Sequence, residues 1–437
     1  MTVSIVKYNG SLDSVRKAID LCGGFEKLKP ADKVLIKPNN CFRHAITPPY
    51  GMVTTSTMLD MIVRLLKEHG CTDISIGEGA IIGIFDELDP YTKHGFKGTG
   101  IDRVARKHGV RLIDFNEHPS QEVDLGGLKA RVASPALETD FLINVPTLKT
   151  HFQTMVSLGF KNLKGCLSKD SKKKFHRSNR LDISIAYLNE TIRTDLAIVD
   201  GIYMLERGPE ALAGVAHRKD LIIASPDVFE CDVVGSTVLG IDPSQVEYLR
   251  QFAERHGRSF DIGAIDIRGE EIESVKENLE WRFHPQEELL MPAGVTGLSA
   301  PPPGQTLCSA CGATLALTLS MLAKDNPGVD FGGAAFYYGL ELEAQENDAR
   351  TVLYGDCAIG VNRGLGKATR IKGCPPSLTT TMLATTKALL SRPRRMRMLA
   401  IRLLKMIGIR LGLYHELFPR WDRYRSAEFD AKDFSFK

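Results

Sequence analysis

The chain has 437 residues, more than the roughly 250–300 at which a single hydrophobic core usually stops growing, so two domains are expected. Its 43% hydrophobic and 25% charged residues are typical of globular proteins and exclude a largely disordered chain. The 56 Lys and Arg nearly balance the 53 Asp and Glu, so the chain as a whole is not a polycation. Because it has neither an apolar run of about 18 residues nor the apolar core of a signal peptide, we expect a cytoplasmic protein.

Six apolar, β-branched runs predict strands in the first 290 residues. The runs are continuous rather than alternating, which is typical of parallel strands covered on both faces. They are KVLIKP (33–38), DISIGE (73–78), VRLIDF (110–115), FLINVP (141–146), LAIVDG (196–201) and LIIASP (221–226). Helical patterns lie between them, for example residues 56–70, with Ser56 as N-cap and Gly70 past the end. The alternation predicts an α/β domain over residues 1–290, a mostly parallel sheet flanked by helices, with ligands beyond the carboxyl ends of the strands.

The remaining chain is predicted to form a connection, a second domain and a tail. Residues 291–306 are rich in Pro and Gly and are typical of a linker. Residues 307–391 predict a small α/β unit with an iron–sulfur site, and residues 392–437 a basic helical tail with a polar end.

The nine cysteines are unevenly distributed along the chain. Five occur singly and are expected to be small buried hydrophobes: Cys22, Cys41, Cys71, Cys166 and Cys231. The other four are close in sequence: Cys308 and Cys311 as C-x2-C at a helix start, Cys357 after a strand in YGDCAIG, and Cys374 in KGCPPS. Four thiolates from loop ends can converge, and the Cys-Pro step is common around iron–sulfur ligands. We expect a [4Fe–4S] cluster; the alternatives are zinc, which usually takes two short C-x2-C pairs, and unrelated core cysteines.

The order of these cysteine motifs resembles the proximal-cluster segment of nickel–iron hydrogenase small subunits. That segment has C-x2-C leading into a helix, then GDCA, then GCPP. The related subunit of respiratory complex I is also similar, but has adjacent cysteines where this chain has Cys308 and Cys311. The interval between Cys311 and Cys357 is short, so only a miniature of that domain fits. The resemblance implies the cluster and not hydrogenase activity.

A basic segment follows the strand predicted at 141–146. From Lys149 to Arg180 it contains nine Lys and Arg and a single acid, Asp170. Such an excess at the carboxyl end of a strand favours a carboxylate or phosphate ligand. The run 172–174 is better interpreted as solvated lysines, whereas the cations spaced among apolar residues are expected to be held in place. We predict Lys149, His151 and Lys161 as catalytic residues and Asn162, Lys164 and His176 as substrate-binding residues.

Two further strand ends are expected to face the same crevice. KPNNC places Lys37, Asn39 and Asn40 just past one strand, and Lys37 and Asn39 are substrate-binding candidates. IVDGI places Asp200 after another, where it is a candidate to orient a lysine or act as a base, although capping a helix would explain it equally well. SIGEGA (75–80) is not G-x-G-x-x-G, so a dinucleotide fingerprint is absent.

Together these motifs resemble the family catalogued as domain of unknown function 362. The shared segments, in order over about residues 30–245, are IKPN, INVPTLKTH…FKNLKG, a following His176, IVDGI…GP and IIASPDVFECDVVGSTVLGIDP. Members often carry a C-terminal iron–sulfur unit, commonly ferredoxin-like, where this chain has a different quartet. The KTH…KN segment is also distantly similar to lactate racemase-type proteins.

The tail alternates apolar residues with arginines and lysines. No Asp or Glu occurs between Ala358 and His415. The pattern is compatible with packing on the small domain, with a peripheral position on an anionic membrane surface, or with docking of an acidic redox partner protein. No stacking aromatics are interleaved with the cations, which excludes nucleic acid.

These patterns predict an iron–sulfur oxidoreductase whose cluster exchanges electrons with an anionic substrate or cofactor bound by the basic segment. A cluster transfers single electrons, so a two-electron product would need a second redox cofactor. Two alternatives stay open. One is a non-redox isomerase, racemase or lyase that uses Lys and His as acid and base, with a structural cluster. The other is a non-enzymatic electron-transfer partner protein.

Overall fold

The computed structural model describes residues 1–40, 49–79, 91–177, 180–209, 214–345, 350–396 and 426–435, and the single tail positions 398, 400, 404 and 407. The first 290 residues of this described part form a large sheet flanked by helices. Residues from 296 onward form a second, four-stranded sheet.

The large sheet contains all six strands predicted from the apolar runs. The strands of the first unit are β1 (Thr2–Lys7), β2 (Val34–Pro38), β3 (Ile74–Glu78), β4 (Arg111–Asp114), β5 (Ser120–Asp124), β6 (Lys129–Ala133), β7 (Phe141–Val145), β8 (Thr147–His151), β9 (Met155–Val156), β10 (Leu196–Glu206), β11 (Val215–Ser225) and β12 (Asp266–Gly269). The sheet order is β12-β1-β11-β10-β7-β2-β3-β4, with β8 beside β10 and β9 beside β8, while β5 and β6 form a separate hairpin. Strands β10, β7, β2, β3 and β4 are parallel, and β11 runs antiparallel to both β1 and β10. The predicted mostly parallel sheet is therefore confirmed.

Helices cover both faces of this sheet, which explains why its strands are apolar throughout. They are α1 (Leu12–Leu21), α2 (Ser56–Glu68), α3 (Tyr91–Gly98), α4 (Ile101–His108), α5 (Ser134–Glu138), α6 (Gly159–Asn162), α7 (Lys169–Arg177), α8 (Leu181–Thr191), α9 (Val228–Val238), α10 (Glu247–His256) and α11 (Ile272–Val275). In β2, Leu35 belongs to the core on one face and Ile36 to the core on the other. The N-cap of α2 is Thr55 and not Ser56, because the Thr55 side chain is the one that accepts the N–H of Met58.

The second unit is a parallel sheet with helices of its own. Its elements are β13 (Thr296–Ser299), α12 (Ser309–Asp325), β14 (Asp330–Tyr338), β15 (Arg350–Tyr354), α13 (Gly355–Val361), β16 (Thr369–Ile371) and α14 (Leu378–Leu389), and the sheet order is β13-β14-β15-β16. Strand β13 lies inside the predicted linker 291–306. Leu298 and Ala300 are buried in the core of this unit, so that segment is part of the second sheet and not only a connection.

Short 3-10 turns link several of these elements. They span Leu163–Cys166, Pro243–Gln245, Ile262–Ala264, Met291–Ala293 and Gly304–Thr306, and a π turn spans Gln286–Leu290. Four of the five single cysteines are buried, as predicted, and Cys41 lies outside the described residues.

The tail contacts both units. Met398 is buried in the core of the second unit, whereas Phe434, in a last short helix α15 (Lys432–Ser435), is buried in the core of the first. Asp433 accepts a hydrogen bond from the hydroxyl of Tyr203 at 2.7 Å. Most of the predicted basic helix lies outside the described residues, so its docking on a membrane surface or a redox partner stays a prediction. None of the helices in the described ranges combines the length and the apolar character that a membrane span requires.

Candidate functional site

A cleft opens at the carboxyl ends of β2, β3 and β7, and residues from both units form its walls. It contains about 730 Å³, part of it open to solvent. Seven of the residues predicted for ligand binding or catalysis line it: Asn39, Lys149, His151, Lys161, Asn162, Lys164 and His176. Asn40, expected to face the crevice but not among the predicted binding residues, lines it as well. Further lining residues were not predicted: Glu78, Gly79, Ser157, Gly165, Lys172 and Pro209 from the first unit, and Ser309 and Ala310 from the second.

Helix α6 carries Lys161 and Asn162 into the cleft and is fixed at its amino end by a buried carboxylate. Asp232 accepts the backbone N–H of Gly159 at 2.7 Å and that of Phe160 at 2.9 Å. Burial raises the pKa of Asp232 to about 7. Gly159 allows this close approach, because a Cβ there would lie 2.9 Å from Asp232 Oδ1.

A buried ion pair forms the floor behind the cleft. Lys37 is fully buried, and its Nζ donates to Glu78 Oε2 at 2.7 Å and to Asn162 Oδ1 at 3.3 Å. The other oxygen of Glu78 accepts the N–H of Gly79 at 2.7 Å. Lys37 was predicted to bind substrate. It does not line the cleft, and its charge is paired with that of Glu78.

Strand β8 presents Lys149 and His151. The Nζ of Lys149 donates to the carbonyl of Met52 at 2.7 Å. Burial, and then the charge of Lys161, lower the pKa of His151 well below its usual range, so the ring is neutral. Its Nδ1 accepts the backbone N–H of Gln153 at 3.0 Å, which leaves the proton on Nε2. That N–H donates across the boundary between the units to Ser309 Oγ, 3.1 Å away.

Lys164 and His176 form a partly buried hydrogen-bonded pair. Burial lowers the pKa of Lys164 to about 8 and that of His176 well below its usual range. The neutral ring of His176 accepts from Lys164 through Nε2, so its own proton lies on Nδ1. Within the described part of the chain that Nδ1 has no hydrogen-bond partner. The negative charge of Cys308 raises the pKa of Lys164, whereas burial lowers it. This effect indicates that the pair of Lys164 and His176 lies near the cysteine site.

The interpretation of Lys172 as part of a solvated run is wrong. Its side chain is buried, and its Nζ donates to the carbonyls of Gly79 at 3.0 Å and Gly165 at 3.1 Å. Burial lowers its pKa to about 8. Helix α7 packs the face that carries residues 172 and 176 towards the cleft, and this four-residue spacing is the sequence signal that could have identified Lys172. Lys174, on another face, is exposed as predicted.

Asp200 lies away from the cleft lining. Its Oδ2 accepts the N–H and the hydroxyl of Thr55 at 2.7 and 2.8 Å, and its Oδ1 accepts the N–H of Ile202 at 3.1 Å. Burial raises its pKa to about 6. These bonds hold the N-cap of α2, so the structure favours the anchoring role over a catalytic one.

The four clustered cysteines lie at the ends of elements of the second unit. Cys308 precedes α12, Cys311 is in its first turn, Cys357 is in α13 and Cys374 follows β16. All four are partly exposed. A hydrogen bond from the Cys311 thiol lowers the pKa of Cys308 to about 6, and the same bond raises that of Cys311, to which the charges of Cys357 and Cys374 also contribute. Among the described residues, no three His, Cys, Asp or Glu side chains have the arrangement that holds a single metal ion.

The chain is similar to proteins of known sequence or structure over about half of its length. A thylakoid-associated protein of Synechocystis sp. is 27% identical over 243 residues, which are 54% of this chain and 72% of that protein. The lactate racemase apoprotein of Thermoanaerobacterium thermosaccharolyticum superposes with a TM-score of 0.33 and 13% identity, over 53% of this chain and only 56% of that one. Residues 34–237 match the family described as domain of unknown function (DUF362), which confirms the family resemblance of the motifs in this region.

Proposed function

We propose that this protein is an iron–sulfur oxidoreductase in which the four clustered cysteines hold a [4Fe–4S] cluster that exchanges electrons with an anion bound in the cleft. The observation that carries the proposal is the position of Ser309. This residue directly follows Cys308, lines the cleft together with Lys161 and Lys164, and accepts the N–H of His151 at 3.1 Å. A ligand in the cleft would therefore lie close to the cysteine site.

The donor set is chemically suited to such a cluster. Four cysteine thiolates are the usual ligands of [4Fe–4S], each bound to a different iron. The lowered pKa of Cys308, about 6, favours the thiolate that iron binds. A bound cluster would supply one-electron transfer. A four-cysteine set is also compatible with zinc, so metal and sulfide analysis distinguishes the two.

The residues of the cleft would bind and orient the anion. Among the described residues, four lysines line it (Lys149, Lys161, Lys164 and Lys172) and one acid, Glu78, which is paired with Lys37. This excess of positive charge favours a ligand with two or more negative charges, such as a dicarboxylate or a phosphate. The Nε2–H of His151 is donated to Ser309 Oγ, which would leave the hydroxyl hydrogen of Ser309 to be donated to the anion.

A specific observation also supports the alternative of a non-redox acid–base enzyme. Lys164, with a pKa of about 8, is hydrogen-bonded to the neutral ring of His176, so the two can hold and pass a proton near neutral pH. The same pair could supply the proton that accompanies electron transfer. Electron transfer between the bound ligand and the cluster, seen as reduction of the oxidised cluster or oxidation of the reduced one on mixing with the ligand, therefore distinguishes the two functions.

We expect anion binding to weaken in alkaline solution and on loss of a buried lysine. Lys164 and Lys172 have pKa values of about 8. They carry charge below this pH and lose it above, so affinity for malate should fall as the pH rises through 8, by up to about tenfold per pH unit for each lysine.

At pH 7, Lys161→Met should weaken binding of malate about ten- to a hundredfold, through loss of charge-assisted hydrogen bonds. Isothermal titration calorimetry measures both effects.

Lys174→Met is the matched control, because this lysine belongs to the same basic segment but is exposed and donates to the carbonyl of Lys129. It should leave malate affinity within about twofold of the wild type, as expected for a solvated charge outside the cleft. Equal losses in the two variants would show that the whole segment acts only through its general charge.

A further inference from the structure

Asn40 is a buried side chain of the cleft whose amide has no partner. It lines the cleft and is only 4% exposed. Its backbone N–H donates to Glu78 Oε2 at 3.1 Å, which fixes the main chain. Its side-chain Nδ2 and Oδ1 are both without a hydrogen-bond partner among the described residues. Buried polar atoms are nearly always paired in folded proteins, so two open atoms on one side chain need an explanation.

The neighbouring asparagines of the cleft are different, because their amide nitrogens are engaged within the protein. Asn39 Nδ2 donates to Thr147 Oγ1 at 2.9 Å, and Asn162 Nδ2 donates to Asn144 Oδ1 at 2.8 Å. These two side chains build the wall of the cleft. Asn40 also lines the cleft, but its amide has no hydrogen-bond partner in the described part of the protein.

The open amide constrains the chemistry of that ligand. A carboxamide offers two N–H donors and an acceptor oxygen, and since both ends are open the conclusion does not depend on which atom is assigned as nitrogen. The N–H donors suit an anionic oxygen, as the lysines do. The acceptor oxygen does not, because it needs a hydrogen-bond donor.

We infer that the ligand of the cleft carries, beside its anionic groups, a hydroxyl or N–H that donates to Asn40. This inference rests on the proposed binding of an anion and names the kind of anion. The unpartnered Nδ1–H of His176 supports it, since it offers a neutral donor to the same polar group or to the adjacent anionic oxygen. Asn40 then favours the binding of anions that also carry a hydroxyl or N–H group over anions that carry neither.

Malate and succinate are suitable probes, because both are dicarboxylates and they differ by one hydroxyl group. Wild-type protein should bind malate about ten- to a hundredfold more tightly than succinate, as expected when a buried acceptor is paired in one complex and unpaired in the other. Asn40→Leu, which has a similar volume and no polar atoms, should remove most of this preference.

A stability measurement separates recognition from a structural role. In the absence of ligand, the thermal unfolding midpoint of Asn40→Leu should equal or exceed that of the wild type, because the substitution removes two unpaired buried atoms. Asn162→Leu is the matched control. It breaks hydrogen bonds to Asn144 and Lys37 and should lower the midpoint.

The outcomes are distinct. If both anions bind and Lys161→Met weakens both, but Asn40→Leu leaves the ratio of malate to succinate affinity unchanged, the inference about Asn40 is wrong and the anion site stands. A clear drop in the unfolding midpoint of Asn40→Leu would also overturn it, since Asn40 would then be structural. If the wild type binds neither anion, the anion site itself fails, and the inference fails with it.

Discussion

Replacing Cys357 by Ser should remove the cluster from the protein. In the proposed site Cys357, Cys308, Cys311 and Cys374 would each provide one thiolate to an iron of the [4Fe–4S] cluster, and a serine hydroxyl is a much poorer ligand. Anaerobically purified wild-type protein should contain about four iron and four sulfide per chain and be brown. The variant should be colourless, with most of both lost, as measured by iron and acid-labile sulfide analysis and by visible absorption.

Cys71→Ser is the control for this experiment. Cys71 is buried in the core of the first unit and should not affect iron content, even if the substitution lowers stability. Wild-type protein that is colourless and carries one zinc per chain without sulfide would contradict the cluster and with it the redox function.

Lys37→Met should destabilise the fold more than the loss of any exposed charge. The substitution leaves Glu78 buried without its ion-pair partner, and losing one partner of a buried pair typically costs about 3–5 kcal/mol. It also removes the hydrogen bond to Asn162 Oδ1, so the wall of the cleft should loosen. Urea unfolding monitored by circular dichroism measures the loss in the free energy of unfolding.

The double variant Lys37→Met, Glu78→Gln tests whether the unpaired charge of Glu78 causes the loss of stability. A neutral glutamine can still accept the N–H of Gly79 and no longer needs a counter-charge, so the double variant should recover a large part of the lost stability. If Lys37→Met changes the free energy of unfolding by less than about 0.5 kcal/mol, the pair is not the structural anchor that its burial indicates.

Local sequence patterns predicted the sheet well, since its strands are buried on both faces and read as continuous apolar runs. Strand β13 was missed because its four residues lie among Pro and Gly, and only its pairing with β14 makes it a strand. The orientation of β11 could not be predicted from such patterns either, because a buried apolar run is compatible with a parallel or an antiparallel strand.

The cleft was predicted only in part. Lys149, His151 and Lys161 were identified because they stand among apolar residues, which indicates that they are held in place. The burial of Lys37 against Glu78 was not predicted, because Glu78 comes from another strand and no local pattern reveals such pairing. The contribution of Ser309 depends on how the two units pack together, and a single sequence contains no signal for that.

The central claim, that the ligand of the cleft is coupled to a cluster at the cysteines, is tested most directly by a redox titration monitored by electron paramagnetic resonance, with and without saturating malate. A bound dianion adds negative charge near the cluster and disfavours its reduced form. The midpoint potential should therefore fall, by roughly 40–90 mV for a coupling of about 1–2 kcal/mol. The Lys161→Met variant should need more malate to reach the same shift. A midpoint potential that is unchanged at a malate concentration shown by calorimetry to saturate the cleft would contradict the claim.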